Sequence, residues 1–340
     1  MKKVAVLMSG GVDSSVAAAL LQQQNCDVTG MHLQLASPCP DSGVAKAQAA
    51  SDRLGVRLIV LDVAKEFAER IIQPFTQAYQ KGLTPNPCIR CNRLIKFGLV
   101  LDKARDLGFD AIATGHYARI ETGSGGASLL RAEDRTKDQS YFLYAIGRER
   151  LPLVLFPLGR TLKTETRRLA VQLGLPAGQA LESQDVCFLG GGDYRDRLQK
   201  DSCPGGTITD PSGKVLGRHS GIENFTIGQR KGIGLSGGPF YVLRIVPETR
   251  TVVVGRHPEA LASRLSADQA CWLETVGPEQ RVEAKVRSRH EAAAAVVESL
   301  SEREFTLRFS EPQWAITPGQ SAVLYSGDRV LGGGIIQTAS

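Results

Sequence analysis

The 340-residue sequence predicts an α/β protein: a parallel-sheet, Rossmann-like domain, then a small β-rich module, then a C-terminal β-barrel. Three observations carry this. Short apolar runs alternate with helical periods over the first two hundred residues, as in a sheet with helices on both faces. The first apolar run empties into a glycine turn that opens an alanine-rich helix. From about residue 203 the helical period stops, and short β-prone pieces between glycines and prolines continue to the last residue.

In order, Val4–Met8 reads as a buried strand, followed by a helix at 13–24. Val28–Leu35 is the second strand, with a helix from Val44 to Leu54, and Arg57–Leu61 the third, with a helix at 64–80. A helix at about 95–107 leads into a strand at Ala111–Thr114. In such sheets ligands collect beyond the carboxyl ends of the strands. The glycine turn, the segment after Leu33 and Gly115-His116-Tyr117 all fall there. "CPGGTITDPSGKVLGRHSG" opens a β-rich stretch reaching about residue 260. Strands are then expected at Ala270–Thr275, Val282–Arg289, Ala293–Leu300, Glu304–Phe309, Ser321–Tyr325 and Gly332–Gln337, a spacing that suggests a barrel. The expected domains are 1–202, 203–262 and 263–340, in line with the two to three suggested by length.

With 42% hydrophobic and 22% charged residues the chain buries ordinary cores and is not of the disordered class. No apolar run reaches the 18 or so residues of a membrane span, and the first apolar run is too short for a signal-peptide core. A cytoplasmic protein with no membrane partner is expected. The net charge of +6 permits a polyanionic partner without requiring one. Seven cysteines, an odd number, argue against a structural disulfide framework.

"MSGGVDSS", Met8 to Ser15, has the parts of an anion cradle. Gly10 and Gly11 let the backbone take unusual φ and approach a ligand, the helix offers open N–H groups, and Ser9, Ser14 and Ser15 add hydroxyls. A Walker loop would carry a lysine; Asp13 stands here instead. A carboxylate beside polyphosphate repels it unless a divalent cation intervenes, which suggests Mg2+ at Asp13. The plain alternative is a strand–turn–helix with a serine cap.

"TPNPCIRCN", residues 84–92, reads as a proline-stiffened loop displaying Cys88 and Cys91 before an amphipathic helix, whose N-terminus is expected to lower a thiol pKa. Such a pair is compatible with a zinc half-site, a redox pair or chance; no second C-x-x-C or H-x-x-x-H supplies the rest of a zinc site. "SQDVCFLGGGDY", residues 183–194, places Cys187 in a polar, glycine-flanked loop.

Taken together, S-G-G-V-D-S, P-N-P-C-x-x-C-N, A-T-G-H-Y, K-D-Q-S-Y-F-L, S-Q-D-V-C-F and T-P-G-Q-S-A-V-L-Y resemble, in register from residue 4 to about 337, the tRNA-specific 2-thiouridylases. These are N-type ATP pyrophosphatases of the PP-loop superfamily, with an adenine nucleotide alpha hydrolase-like domain. The resemblance implies a tRNA-uridine 2-sulfurtransferase. It uses ATP to adenylate the C2 carbonyl of wobble uridine 34, in the tRNAs for Glu, Gln and Lys, and replaces that oxygen with sulfur. A persulfide sulfur-donor protein is the implied partner.

By the same resemblance, Cys187 is the persulfide carrier and Cys91 the catalytic nucleophile, with a transient Cys91–Cys187 disulfide. Met8, Ser9, Gly10, Gly11, Val12, Asp13, Ser14, Ser15, Leu33 and Gly115 match the ATP-binding segments. Asn86, Pro87 and Cys88 match the loop that meets the target base. His116 and Gln320 match positions of tRNA discrimination. Lys137, Asp138, Gln139, Arg287 and Ser288 match tRNA contacts. On physical grounds Lys285, Arg287 and Arg289 alternate along the expected strand and would face one way, as a phosphate-binding row or a plain solvated face.

Two departures stand out. Some relatives carry an aspartate at the position of Cys88, and the stretch from Ala36 to Val44 is short and lacks an acidic run. Rival readings remain at this stage: another ATP pyrophosphatase acting on a small carboxylate, a [4Fe–4S] cluster held by Cys88, Cys91 and Cys187, and a non-catalytic RNA-binding protein.

Overall fold

The structure, a computed structural model, describes residues 1–35, 41–175, 187–188 and 204–340. The Ala36–Pro40 part of the short stretch, Cys39, Cys203, the 202/203 boundary and most of 183–194 lie outside the described residues. By internal contact the chain forms two compact units. One is drawn from 1–71, 88–191 and 328–330, the other from 72–87, 192–327 and 331–340.

The first unit opens with β1 (Lys3–Leu7), α1 (Val12–Gln23), β2 (Asp27–Gln34), α2 (Asp41–Leu54) and β3 (Arg57–Asp62). α3 (Ala64–Phe67) runs through a π-helical stretch, Ala68–Ile72, into α4 (Gln73–Gln80), so the expected helix over 64–80 is present. α5 (Pro87–Cys91) continues through a second π-helical stretch, Asn92–Val100, into α6 (Leu101–Asp106). β4 (Ala111–Ala113), the hairpin β5 (Arg119–Gly123) and β6 (Gly126–Leu130), β7 (Val154–Leu155) and α7 (Lys163–Gln172) complete it.

Its sheet is parallel throughout, in the order β3-β2-β1-β4-β7. The central strand β1 is buried from Val4 to Leu7 because helices cover both faces, which is why it reads as a continuous apolar run. Strand order reverses between β1 and β4, so a crevice opens beyond their carboxyl ends. α1 buries Val16, Ala17, Ala18 and Ala19 in succession. The alanines let it lie close to both α2 and α7, with which it is in contact.

The second unit holds a four-stranded sheet of β8 (Gly206–Thr209), β9 (Val215–His219), β10 (Tyr241–Val246) and β11 (Thr251–Gly255), ordered β10-β11-β8-β9. It closes on a core of Ile208, Ile222, Phe225, Val242, Val252 and Val254. α4 packs against the short turn Ile222–Asn224 of this module. A barrel follows: β12 (Leu261–Trp272), β13 (Arg281–Lys285), β14 (Ala293–Leu300), β15 (Phe305–Trp314), β16 (Ser321–Ser326) and β17 (Arg329–Ala339). Their order is β12-β15-β14-β13-β16-β17, and pairing of β12 with β17 closes the ring. Alternate residues such as Val282, Ala284, Val297, Leu307, Leu324 and Ile336 fill it.

Two expectations need correction here. The strand through Lys285, Arg287 and Arg289 stops at Lys285, so the last two lie in the connection to β14 and form no row on a strand. The loop expected to display both cysteines is helical from Pro87, because proline is favoured in a first helical turn.

Candidate functional site

The glycine turn sits where the topology puts a ligand, between β1 and α1 beside the end of β4. Gly10 has φ 76°, and a Cβ there would lie 2.5 Å from the Lys46 Cβ, so only glycine fits against α2. Gly11 caps α1 without a side-chain hydrogen bond, which leaves the first-turn N–H groups for an anion. Ser9 N–H donates to Ser14 Oγ (3.2 Å), while Ser15 Oγ donates to the Gly11 carbonyl (2.9 Å) and fixes the turn. At Gly115, after β4, a Cβ would lie 2.6 Å from the Asp13 carbonyl carbon, so two of the glycine motifs touch. His32 Nδ1–H donates to the Met8 carbonyl (2.8 Å), tying the end of β2, with Leu33, to the same turn.

The missing lysine comes from elsewhere. Lys163, at the start of α7, places its ammonium 2.7 and 2.8 Å from the two oxygens of Asp13. The Tyr117 hydroxyl bridges Asp13 Oδ1 (3.1 Å) and Thr166 Oγ1 (2.9 Å), and the Lys163 ammonium lies 5.6 Å from the Tyr117 ring centre. The Lys163 side chain is 8% exposed and that of Asp13 34%. The case for magnesium at Asp13 rested on an unneutralised carboxylate beside polyphosphate, and Lys163 removes that argument. Sequence reading missed Lys163, although "TLKTETRR" carried a signal. A lysine in a first helical turn faces the positive end of the dipole and needs an anion to hold it there.

The thiol site is built on α5 and the π-helical stretch behind it. Cys91 is 8% exposed, whereas Cys88 and Cys187 are exposed. Cys187 is anchored by its neighbour Phe188, whose ring packs edge-on against Phe67 at 5.8 Å. All three thiols lie within electrostatic reach of Lys96. The i→i+5 turn brings that lysine about one turn from Cys91. Arg150 donates to the Phe97 carbonyl (2.7 Å) inside the widened helix and steadies it.

The expected lowering of the thiol pKa does not occur. Burial pushes Cys91 up to about 11, with Lys96 pulling the other way and the neighbouring thiols adding to the rise. Cys88 and Cys187 are also raised: each has an exposed surface, but the protein packed behind it desolvates the thiolate more than Lys96 compensates. Cys91 therefore rests as a neutral thiol at physiological pH. Among the described residues no three His, Cys, Asp or Glu side chains converge as a metal-holding group. The three cysteines as placed do not fit the cluster reading.

His116 lies between Phe97 and Phe156, with ring centres 6.1 and 6.0 Å away, and its Nδ1 is 2.7 Å from Thr114 Oγ1. Burial, aided by Lys96, holds its pKa well below the ordinary value, so it is neutral. Asp138 and Gln139 serve the fold as well as any ligand. Asp138 Oδ1 accepts from Ala132 N (2.9 Å) and its Oδ2 from Ser140 Oγ (2.8 Å). Gln139 Oε1 accepts from Tyr117 N (2.9 Å). Lys137 precedes them at a half-buried position. Asn92 Nδ2 donates to the Phe142 carbonyl (2.9 Å), which joins the C-x-x-C-N helix to the Y-F-L segment.

In the second unit, Gln320 Nε2 donates to the Thr84 carbonyl (2.8 Å) and Thr84 N–H donates to the Pro318 carbonyl (3.1 Å). The T-P-N-P loop bearing Asn86 and Pro87 is thus clipped to the barrel turn 317–320. Arg287 does not face outward. Its guanidinium donates to the carbonyls of Ile227 (2.7 Å) and Ala315 (2.9 Å) and to Thr317 Oγ1, with the half-buried Ser288 beside it.

Three family models match the chain in order: the tRNA methyl transferase HUP domain over residues 2–191, the tRNA methyl transferase PRC-barrel domain over 196–256 and the aminomethyltransferase beta-barrel domain over 262–336. A HUP-type α/β domain with a glycine turn at its switch point, followed by two β modules, defines the class. The tRNA-specific 2-thiouridylase MnmA of Acidithiobacillus ferrooxidans is 43% identical, over 99% of this chain and 98% of its own. Those of Pelobacter propionicus (44%, over 99% and 98%) and Dehalococcoides mccartyi (43%, over 98% and 96%) are similar to the same degree. The chain belongs to the tRNA-specific 2-thiouridylase family.

Proposed function

We propose that this chain installs sulfur at C2 of the wobble uridine U34 in tRNA, including those for Glu, Gln and Lys, in the cytoplasm. Its working parts are residues 1–202, 203–262 and 263–340. ATP enters with Mg2+ on its phosphates. The turn from Met8 to Ser15, with Gly115 and the Leu33 end of β2, holds the nucleotide. Lys163 stands beside it as the cation that a Walker loop would carry internally. The uracil C2 oxygen attacks the α-phosphorus and pyrophosphate leaves, which turns a poor leaving group into AMP.

A donor protein charges Cys187 as a persulfide. Its outer sulfur attacks C2 and AMP departs with the oxygen. Cys91 then attacks the sulfur of Cys187, forming a Cys91–Cys187 disulfide and freeing the thiocarbonyl, and an external thiol reduces the disulfide afterwards. Asn86, Pro87 and Cys88 meet the base, with neutral His116 and clipped Gln320 on the recognition side and the segments Lys137–Gln139 and Arg287–Ser288 contacting the RNA. The observation that carries this reading is the grouping of Cys88, Cys91 and Cys187 around Lys96. A buried neutral Cys91 is protected until RNA and nucleotide are bound.

The test separates the cysteines. Cys187→Ser should lose the persulfide and all thiolation yet still form adenylated tRNA. Cys91→Ser should keep the persulfide but fail to release thiolated product. Cys88→Ser should retain most activity. Parallel loss of bound iron and thiolation in Cys88→Ser, assayed anaerobically, would sink the relay in favour of a cluster.

A further inference from the structure

One loop of the small β module has no part in this chemistry: Thr226-Ile227-Gly228-Gln229-Arg230-Lys231-Gly232. It is closed on itself. Thr226 N–H donates to Gln229 Oε1 (3.0 Å), Gln229 Nε2 donates to the Lys231 carbonyl (3.0 Å), and Gly228 and Gly232 take φ of 81° and 76°. It is also held from outside. A Cβ on Gly228 would lie 2.6 Å from that of Ala315, and Arg287 grips the Ile227 carbonyl. A loop fixed in this way loses little order on binding.

What it displays is positive charge. Arg230 and Lys231 are exposed, and neither makes an ion pair among the described residues. Lys231 and Arg287 line one cavity of about 580 Å³ with Asn224, Thr226 and Gln229, and no carboxylate lines it. Lys285 and Arg287 are close enough to His290 to add to the burial that holds its pKa down, so the positive field extends along the connection after β13. Its polar side chains stand among an isoleucine and glycine backbone, and no aromatic face is among the lining residues, which suits phosphates rather than stacked bases.

We propose that loop 226–232 binds the phosphate backbone of the RNA substrate, Arg230 and Lys231 each taking one phosphate while Arg287 holds the loop in shape. This rests on the reading of tRNA as substrate. In the full-length protein, Arg230→Ala/Lys231→Ala should weaken tRNA binding about tenfold at moderate salt and make the salt slope shallower by about two units. KM for tRNA should rise with kcat unchanged. Arg230→Lys/Lys231→Arg should restore both affinity and slope.

Wild-type affinity and slope in the alanine variant, with the parent enzyme binding and thiolating tRNA normally, would overturn the inference and leave the function standing. Failure of the parent to bind tRNA at all would overturn the function instead. Saturable binding of inorganic phosphate that is lost in the alanine variant while tRNA affinity holds would make the loop a small-anion site and overturn the RNA assignment.

Discussion

At Asp13 one carboxylate answers to a tyrosine and to a lysine from 150 residues downstream. The lysine is the more deeply buried partner, and that fixes the order of damage when either is removed. Asp13→Ala strands an ammonium whose side chain is 8% exposed, whereas Lys163→Ala leaves a carboxylate at 34% exposure that water can still reach. Asp13→Ala should therefore be the less stable variant, by about 3 kcal/mol against the parent in urea unfolding. Lys163→Ala should cost less than that. Asp13→Asn keeps an acceptor for both Lys163 and Tyr117 and should fall between them. Both alanine variants should lose ATP-dependent thiolation; a Lys163→Ala protein less stable than Asp13→Ala would refute the burial argument. The glycines and serines of this turn were legible because their spacing is local. Lys163 was not, since its meaning lies in a contact that no local pattern encodes.

At the scale of elements, the sequence was read correctly where packing enforces a period and wrongly where it does not. Ala293–Leu300 was expected as a strand and is one, because its alternate residues fill the barrel. The alternation of Lys285, Arg287 and Arg289 looked like the same signal, but β13 ends where its pairings at Ala284 and Lys285 end. Beyond it the chain turns and Arg287 points inward, bonded to the Ile227 and Ala315 carbonyls and to Thr317. Ala315, at φ 52°, adopts a backbone that alanine rarely takes, so the staple holds a strained partner. Arg287→Ala should then cost about 2–3 kcal/mol by urea unfolding, the scale of a hydrogen-bonded charged group. All three bonds leave one nitrogen, Nη2, so Arg287→Lys, whose ammonium also carries three donors, should recover part of the loss. Parent stability in Arg287→Ala would return the residue to the surface. The helix at Pro87 was misjudged for a different reason: two prolines were read as loop stiffeners, while the second is a helix start.

Across the whole molecule, motifs that are weak singly are those that touch. Gly115 and Tyr117 meet Asp13, Gln139 meets Tyr117, and Asn92 meets Phe142. The order of the motifs along the chain was legible, but which of them meet was not, because contact across separations of 22 to 104 residues is set by topology. The longest reach is Thr84 to Gln320, within the unit formed by 72–87, 192–327 and 331–340. The chain leaves that unit between Pro87 and Cys88, so the loop 84–87 is fastened to the barrel turn while the thiols that follow belong to the other unit. Gln320→Ala removes one hydrogen bond, worth about 1 kcal/mol. Gly319→Ala is harsher, because Gly319 has φ 91° and a Cβ there would lie 2.9 Å from Thr84 N. Both should raise KM for tRNA several-fold, Gly319→Ala the more. Neither should change the affinity for ATP measured by titration calorimetry, since the glycine turn is held by contacts inside the first unit. Parallel loss of ATP affinity would show that the clip serves general folding, and unchanged KM in both variants would show that the loop keeps its shape without the barrel.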